Sequence, residues 1–237
     1  MQTSQPGSSS LDQPDYWWHR ARAGLLHEVF GPFVGEPRCV LDVGSADAPS
    51  VGWLRGDHRV VNLDILPGGL VPGEGVCGSV TALPFADATF DVVGAFDVVE
   101  HCEDDHRAMS ELARVAVPGG RVLLAVPAYS WAWTDHDVRA GHYRRYTRRR
   151  FTRLVESAGL EVQRATYAFG AVFPIFAAER GVRRLRGGGT EQEGNRLPTV
   201  SPRQDRLLMG LSRLDERALR RVDLPFGSSV LVAARKP

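Results

Sequence analysis

Cys39-Val40-Leu41-Asp42-Val43-Gly44-Ser45-Ala46-Asp47-Ala48 is a short apolar run that breaks at a glycine into a turn of small residues. Such a run, with little polar alternation, suits a strand buried on both faces of a parallel sheet. The glycine and its small neighbours let a ligand approach the backbone, and the helix expected next offers its N-terminal amides. Asp64 stands twenty positions after Gly44, at the end of the next apolar run, Val60 to Ile65. A carboxylate there can accept both hydroxyls of a ribose. The pair also fits a tight strand–helix turn beside an unrelated acid. A dinucleotide site would want GxGxxG, which Ala46 and Ala48 interrupt.

Working outward, Thr89 to Ala95 reads as a third strand. Asp104 to Val117 reads as a helix with Ala108, Met109, Leu112, Val115 and Ala116 on one face, ended by Pro118-Gly119-Gly120. Arg121 to Val126 is the next strand, Arg148 to Ala158 a helix stopped by Gly159, and Leu160 to Tyr167 a strand. Leu11 to Phe30 reads as one or two amphipathic helices before the sheet. Gly170 to Arg186 and Arg203 to Val222 are helices joined by a polar linker, Gly187 to Thr199, ahead of a final strand, Ser228 to Ala234. Strands alternating with helices specify an α/β protein with a doubly wound, mostly parallel sheet.

A chain of 237 residues with 43% hydrophobic and 24% charged residues suffices for one domain with a substantial core. Its net charge of +1 gives no global attraction to nucleic acid or anionic membrane. The scattered Cys39, Cys77 and Cys102 form neither a disulfide framework nor a CxxC metal motif. Residues 1–14 are polar and lack an apolar leader, so they read as the disordered start of a cytoplasmic protein. No apolar run approaches the roughly 20 residues that span a bilayer. The remaining residues, 15–237, are expected to form a single domain.

The segment Gly78-Ser79-Val80-Thr81-Ala82-Leu83-Pro84-Phe85-Ala86-Asp87-Ala88-Thr89-Phe90-Asp91-Val92-Val93 closely resembles the stretch that follows the ribose acid in class I S-adenosylmethionine (SAM)-dependent methyltransferases, where "LPF-x-D-x-x-FD" leads into a strand. Phe96-Asp97-Val98-Val99-Glu100-His101 resembles the strand end that follows. Glu111-Leu112-Ala113-Arg114-Val115 with Pro118-Gly119-Gly120 resembles the family's "E-x-x-RVLKPGG" helix exit. Tyr16-Trp17-Trp18-His19-Arg20-Ala21-Arg22 is similar to a "WWFRARR" helix that closes over the cofactor in some of these enzymes. The resemblance runs from Tyr16 to Tyr167 and returns at the last strand.

The resemblance implies a Rossmann-like seven-stranded sheet, mostly parallel with an antiparallel last strand, and SAM as the cofactor. Residues 15–36 would be cofactor-covering helices and 170–225 a helical insertion or lid. Gly44, Ser45 and Ala46 would supply backbone near the methionine part. Asp64 would hold the ribose, with Ile65 beside the adenine and Ser79 and Val80 at its edge. Ala95 and Phe96 would receive the methionine amine. Trp18 belongs to the covering helix, and Arg22 would pair with the cofactor carboxylate, where bidentate geometry favours arginine. Two departures are visible: alanine at 46 and 48 where glycine is usual, and Ser79 where aspartate is frequent.

Methyl transfer from a sulfonium is an in-line displacement, so the protein mainly aligns the acceptor and excludes water. A base is needed only where the acceptor carries a proton that must leave. His101, His142 and His136 are the candidates. The last two lie in Trp131-Ala132-Trp133-Thr134-Asp135-His136-Asp137-Val138-Arg139-Ala140-Gly141-His142-Tyr143-Arg144-Arg145-Tyr146, a ligand-facing position after a strand of an open sheet. A similar "HD-x-x-x-GHYRRYT" stretch occurs in a subset of bacterial members, and Tyr143, Arg145 and Tyr146 are its candidate substrate contacts. His136-Asp137 spaced from His142 is not an established ligand pattern, so no metal is expected.

Seven arginines and no acid lie between Arg139 and Arg153. Phosphate contacts would need such charge, as would an anionic small substrate or a solvated face. The Asp/Asn-Pro-Pro-Tyr/Phe signature of base-amino methylation is absent, since Phe96-Asp97-Val98-Val99 occupies its place. A small-molecule acceptor, anionic or lipophilic, is therefore expected, with no nucleic-acid partner. Phe173-Pro174-Ile175-Phe176 followed by Arg180, Arg183, Arg184 and Arg186 reads as a lid over a lipophilic substrate, a membrane-surface contact, or simply a helix packed on the sheet. The competing functions are a non-catalytic SAM or nucleotide binder, an RNA methyltransferase and a nicotinamide-dependent oxidoreductase.

Overall fold

The computed structural model describes residues 13, 15–44, 51–67, 70, 75–185 and 199–237. Seven strands form one sheet: β1 (Cys39–Val43), β2 (Arg59–Asp64), β3 (Gly75–Cys77), β4 (Phe90–Phe96), β5 (Ala116–Pro127), β6 (Glu161–Ala168) and β7 (Ser229–Arg235). Their spatial order is β3-β2-β1-β4-β5-β7-β6, and β7 runs antiparallel to both neighbours. The expected sheet, with its antiparallel last strand, is the one observed. Chain order reverses between β1 and β4, where β2 leaves to one side and β4 pairs on the other. Ligands of open α/β sheets bind at such a switch point, outside the strands' carboxyl ends.

Both faces of the central strands are covered, which explains their unbroken apolar character. Successive residues point to opposite faces. Val40, Val92 and Leu123 pack under α1 (Trp17–Val34) with Leu25, Leu26, Val29 and Phe30. Leu41, Val93, Val122 and Leu124 pack on the other side with α2 (Asp105–Val115) and α4 (Arg148–Ser157). Asp104 caps α2 by accepting from the Arg107 amide at 2.8 Å, and Thr147 caps α4 by accepting from that of Arg150 at 3.3 Å. α6 (Pro202–Leu219) lies along α1, tied by Arg220 to Glu28 at 2.9 Å.

Three local expectations are corrected. Pro118-Gly119-Gly120 is part of β5, which begins at Ala116 directly after α2. A register shift between the Phe90–Ala116 and Val92–Arg121 pairs absorbs the proline, and Gly119 takes a φ of 81°. A Cβ on Gly120 would sit 2.8 Å from the Val117 carbonyl oxygen, so the bulge needs glycine there. β3 was not foreseen, because three residues carry no periodicity. Residues Asp135–Ala140 form a short helix, α3, where a loop was expected. α5 (Phe173–Leu185) is helical as anticipated. Residues 1–12 and 14, most of the 187–199 linker, and Ser45 and Ala46 fall outside the described residues. Among the described residues, no helix is long and apolar enough to cross a membrane.

Candidate functional site

Two groups of residues meet at the carboxyl edge of the sheet. The first surrounds the ends of β1, β2 and β4. Gly44 has a φ of 75°, and its amide donates to the Leu63 carbonyl at 2.7 Å. A Cβ there would come within 2.5 Å of Val98 Cγ2, so glycine is required for conformation and for space. Asp64 closes β2, nearly buried, with Oδ1 accepting from the Leu66 amide at 2.9 Å. Its carbonyl accepts from the Gly78 amide at 3.0 Å, which brings the turn of Ser79 and buried Val80 beside it. Ile65 is 67% exposed, an uncovered apolar surface next to that carboxylate. The Ser79 hydroxyl lies 2.8 Å from that of Thr81.

Asp42 lies within β1, and its buried Oδ1 has no hydrogen-bond partner. Burial pushes this carboxyl up to about 7, against the pull of Arg22 and Arg55. Ala95 and Phe96 end β4 and are buried, and Asp97 follows with a φ of 59°. Arg22 reaches across from α1 to Asp97 at 2.9 Å, with its guanidinium carbon 5.3 Å from the centre of the Trp18 ring. Trp18 in turn stacks on Phe169 at 6.1 Å. The structure thus brings Trp18, Arg22, Gly44, Asp64, Ser79, Val80, Ala95 and Phe96 to one edge. Asp97, Tyr129 and Phe169 carry positive φ just beyond β4, β5 and β6. Backbone strain of this kind concentrates where ligands are held.

The second group lies past β4 and β5. Glu100 sits in the 3-10 turn Val99–His101, fully buried, and neither carboxylate oxygen has a hydrogen-bond partner from another residue. Burial, and then the like charge of Asp97, push its pKa well above the ordinary range. The His101 and His142 rings meet edge to face at 4.6 Å. Partial burial and the His142 ring hold His101 below its usual basicity. One ligand-type atom from each of Glu100, His101 and His142 lies within 4.8 Å of the other two.

Beneath His142 lies Asp137, 0% exposed, held by a capping box with Thr134. Its Oδ1 lies 2.8 Å from His142 Nδ1 and accepts from Arg145 Nε at 2.7 Å. Burial opposes its charge, yet the hydrogen bonds from His142 and Arg145 hold the carboxyl well below its usual range. Arg145 also donates to the Ala128 carbonyl at 3.2 Å. Tyr146 is fully buried and donates to Asp105 at 2.8 Å. Both side chains therefore hold the scaffold, Arg145 through Asp137 and Tyr146 through Asp105. Tyr143 is exposed, its amide donating to the Glu100 carbonyl at 2.8 Å. His136 is exposed, its ring centre 6.5 Å from that of His142.

An aromatic wall flanks this group. Tyr129 stacks on Trp131 at 5.7 Å and on Tyr167 at 5.4 Å, while Phe173 of α5 lies 5.4 Å from Tyr129 and 6.0 Å from Trp131. Sequence reasoning missed Asp42, Asp97, Glu100 and Asp137. Asp137 had a legible signal, since Thr134 three residues before it marks a capping box. Glu100 had none, because its burial depends on the turn after β4 closing under Tyr143.

The Methyltransferase domain family matches residues 41–124. A protein of Mycolicibacterium smegmatis named as an S-adenosylmethionine-dependent methyltransferase is 33% identical over 166 residues, 65% of this chain and 62% of its own length. A demethylmenaquinone methyltransferase of Mycolicibacterium paratuberculosis is 33% identical over 121 residues, 48% of this chain and 50% of its own. The chain spans about half to three-fifths of the length of the curated relatives it matches. Among solved structures, the N-methyltransferase NodS of Bradyrhizobium japonicum, in complex with S-adenosyl-L-homocysteine, aligns with a TM-score of 0.56 and 13% identity, covering 95% of this chain and 91% of that one.

Proposed function

We propose that this chain is a class I SAM-dependent methyltransferase that moves the methyl group of SAM to a small-molecule acceptor at the carboxyl edge of its sheet. The observation that carries the reading is the pairing of Gly44 and Asp64 across the switch point. Gly44 is a bend that tolerates no side chain, and Asp64 is an acid at the end of the next strand. Asp64 would accept the ribose hydroxyls, and Ile65 would cover the adenine. Bound SAM would supply an electrophilic methyl group on a positive sulfonium. The chain would align it: Arg22 and Asp97 for the methionine carboxylate and amine, and Trp18 and Phe169 as a cover against water.

The acceptor would lie between the His101–His142 pair and the aromatic wall. Stacked rings at Tyr129, Trp131 and Phe173 favour a flat, largely apolar body. Relatives named for demethylmenaquinone and for malonyl-[acyl-carrier protein] support a metabolite-sized methyl acceptor. A nucleic-acid substrate has less support, because four of the seven arginines between 139 and 153 are engaged within the chain. Arg144 pairs with Asp105 and Arg145 with Asp137, while Arg148 and Arg150 lie over the rings of Tyr167 and Tyr146. Unpaired thiols at Cys39, Cys77 and Cys102 suit the cytoplasm.

Calorimetry with SAM, S-adenosylhomocysteine and NADH tests the cofactor, and transfer of labelled methyl to a panel of phenols, quinols and carboxylic acids tests the chemistry. Binding of both sulfur compounds with NADH silent, and label in a phenolic or quinol product, is the expected result. Binding of NADH alone would sink the reading.

A further inference from the structure

Around Glu100 the charges do not balance. Arg22 is matched to Asp97 at 2.9 Å, and Arg145 to Asp137 at 2.7 Å. Arg144 is matched to Asp105 at 2.7 Å. Glu100 is left fully buried, with both oxygens lacking a partner from another of the described residues. A buried carboxylate must be protonated, paired or bound to a cation. What lies against it is a pair of imidazoles, each with a ligand-type nitrogen within 4.8 Å of the others' ligand atoms.

The His142 ring is already set for coordination. Its Nδ1 is taken by Asp137 at 2.8 Å, which leaves Nε2 as the nitrogen to bind an ion. A carboxylate on the far nitrogen is the usual way a metal-binding histidine is oriented and made more basic. Arg145 and Thr134 fix that carboxylate in turn. His101, one residue after Glu100 in the same 3-10 turn, supplies the third ligand from the exposed rim. Ligands on a tetrahedral zinc lie about 3.3 Å apart, so modest side-chain rotation closes the set.

The geometry points to Glu100, His101 and His142 as a binding site for one divalent transition-metal ion, with Asp137 orienting His142. Two imidazoles and one carboxylate suit Zn²⁺, Mn²⁺ or Fe²⁺ and disfavour Mg²⁺ and Ca²⁺, which prefer all-oxygen sets. Three protein ligands leave positions open toward the cleft. If a methyl acceptor lies there, as proposed above, the ion selects one that offers oxygen lone pairs, and only this last step rests on that reading.

The full chain, stripped of metal with a chelator, is titrated with Zn²⁺, Mn²⁺ and Mg²⁺ by calorimetry, with bound metal counted by elemental analysis. One equivalent of Zn²⁺ or Mn²⁺ is expected, with Mg²⁺ binding far more weakly. Glu100→Gln and His101→Ala should each weaken Zn²⁺ binding at least about tenfold while the far-ultraviolet spectrum stays unchanged. His101 is exposed, so its variant decides the matter if Glu100→Gln does not fold. No saturable binding at one equivalent, Mg²⁺ as tight as Zn²⁺, or undiminished Zn²⁺ binding in the folded variants would overturn the assignment. SAM titrated into the metal-free protein reads the methyl-donor reading separately, so one can fail while the other stands.

Discussion

The two halves of the candidate site are built from different materials. The half at the ends of β1, β2 and β4 is mostly backbone: a bend at Gly44, the turn after Asp64 and strand ends at Ala95 and Phe96. The half beyond β4 and β5 is built of side chains, with Asp137, Arg145 and His142 locked together beside the buried Glu100. Backbone geometry suits a cofactor whose shape never varies. Side chains held by buried ion pairs can be exchanged for others while the sheet beneath them stays the same.

The largest expected effect breaks the second half. Asp137→Ala leaves Arg145 buried without its partner, which should cost about 3–5 kcal/mol of stability, read from urea unfolding. A loss under about 1 kcal/mol would show that Arg145 finds water instead. In the first half, Gly44→Ala should cost about 1–3 kcal/mol through strain at its φ of 75° and contact with Val98, and it should depress SAM binding more than stability. Asp64→Ala should weaken SAM binding by about 1–3 kcal/mol in calorimetry, through lost hydrogen bonds from the ribose, with little change in melting temperature. Unchanged affinity in that folded variant would remove Asp64 from the site. Tyr146→Phe should cost about 1 kcal/mol of stability and leave SAM affinity alone, because its hydroxyl serves Asp105.

A pH series separates the halves in another way. Burial raises the Asp42 carboxyl from 3.8 to about 7 in the fold. Its contribution to stability is therefore full below about pH 4 and is lost as pH rises through about 7. Asp137 is shifted the other way, so its contribution is present above the ordinary carboxylate range and is lost in acid. Asp42→Asn should flatten the decline of stability between pH 4 and 7, followed as the urea midpoint at several pH values. A decline identical to that of the parent protein would remove Asp42 as its source.

The sheet was legible because buried parallel strands leave continuous apolar runs, as at Cys39–Val43 and Phe90–Phe96. Asp64 and Gly44 were legible for a related reason: a strand end and a positive-φ turn constrain residue type locally. Arg145 and Tyr146 were read as substrate contacts from a family-like stretch dense in His, Tyr and Arg, and the structure buries them against Asp137 and Asp105. Polarity cannot distinguish a side chain that greets a ligand from one that satisfies a buried acid. Pro118-Gly119-Gly120 misled similarly, since a helix stop and a β-bulge use the same residues.

Local sequence by itself determined the alternation of strands and helices, the bend at Gly44 and the acid after β2, because each follows from short-range sterics and periodicity. Tertiary structure alone decided that Glu100 is buried beside two imidazoles, that Asp137 grips His142, and that Arg145 turns inward. Those outcomes depend on which charges become neighbours once water is excluded, and such pairings join residues as far apart as Arg22 and Asp97.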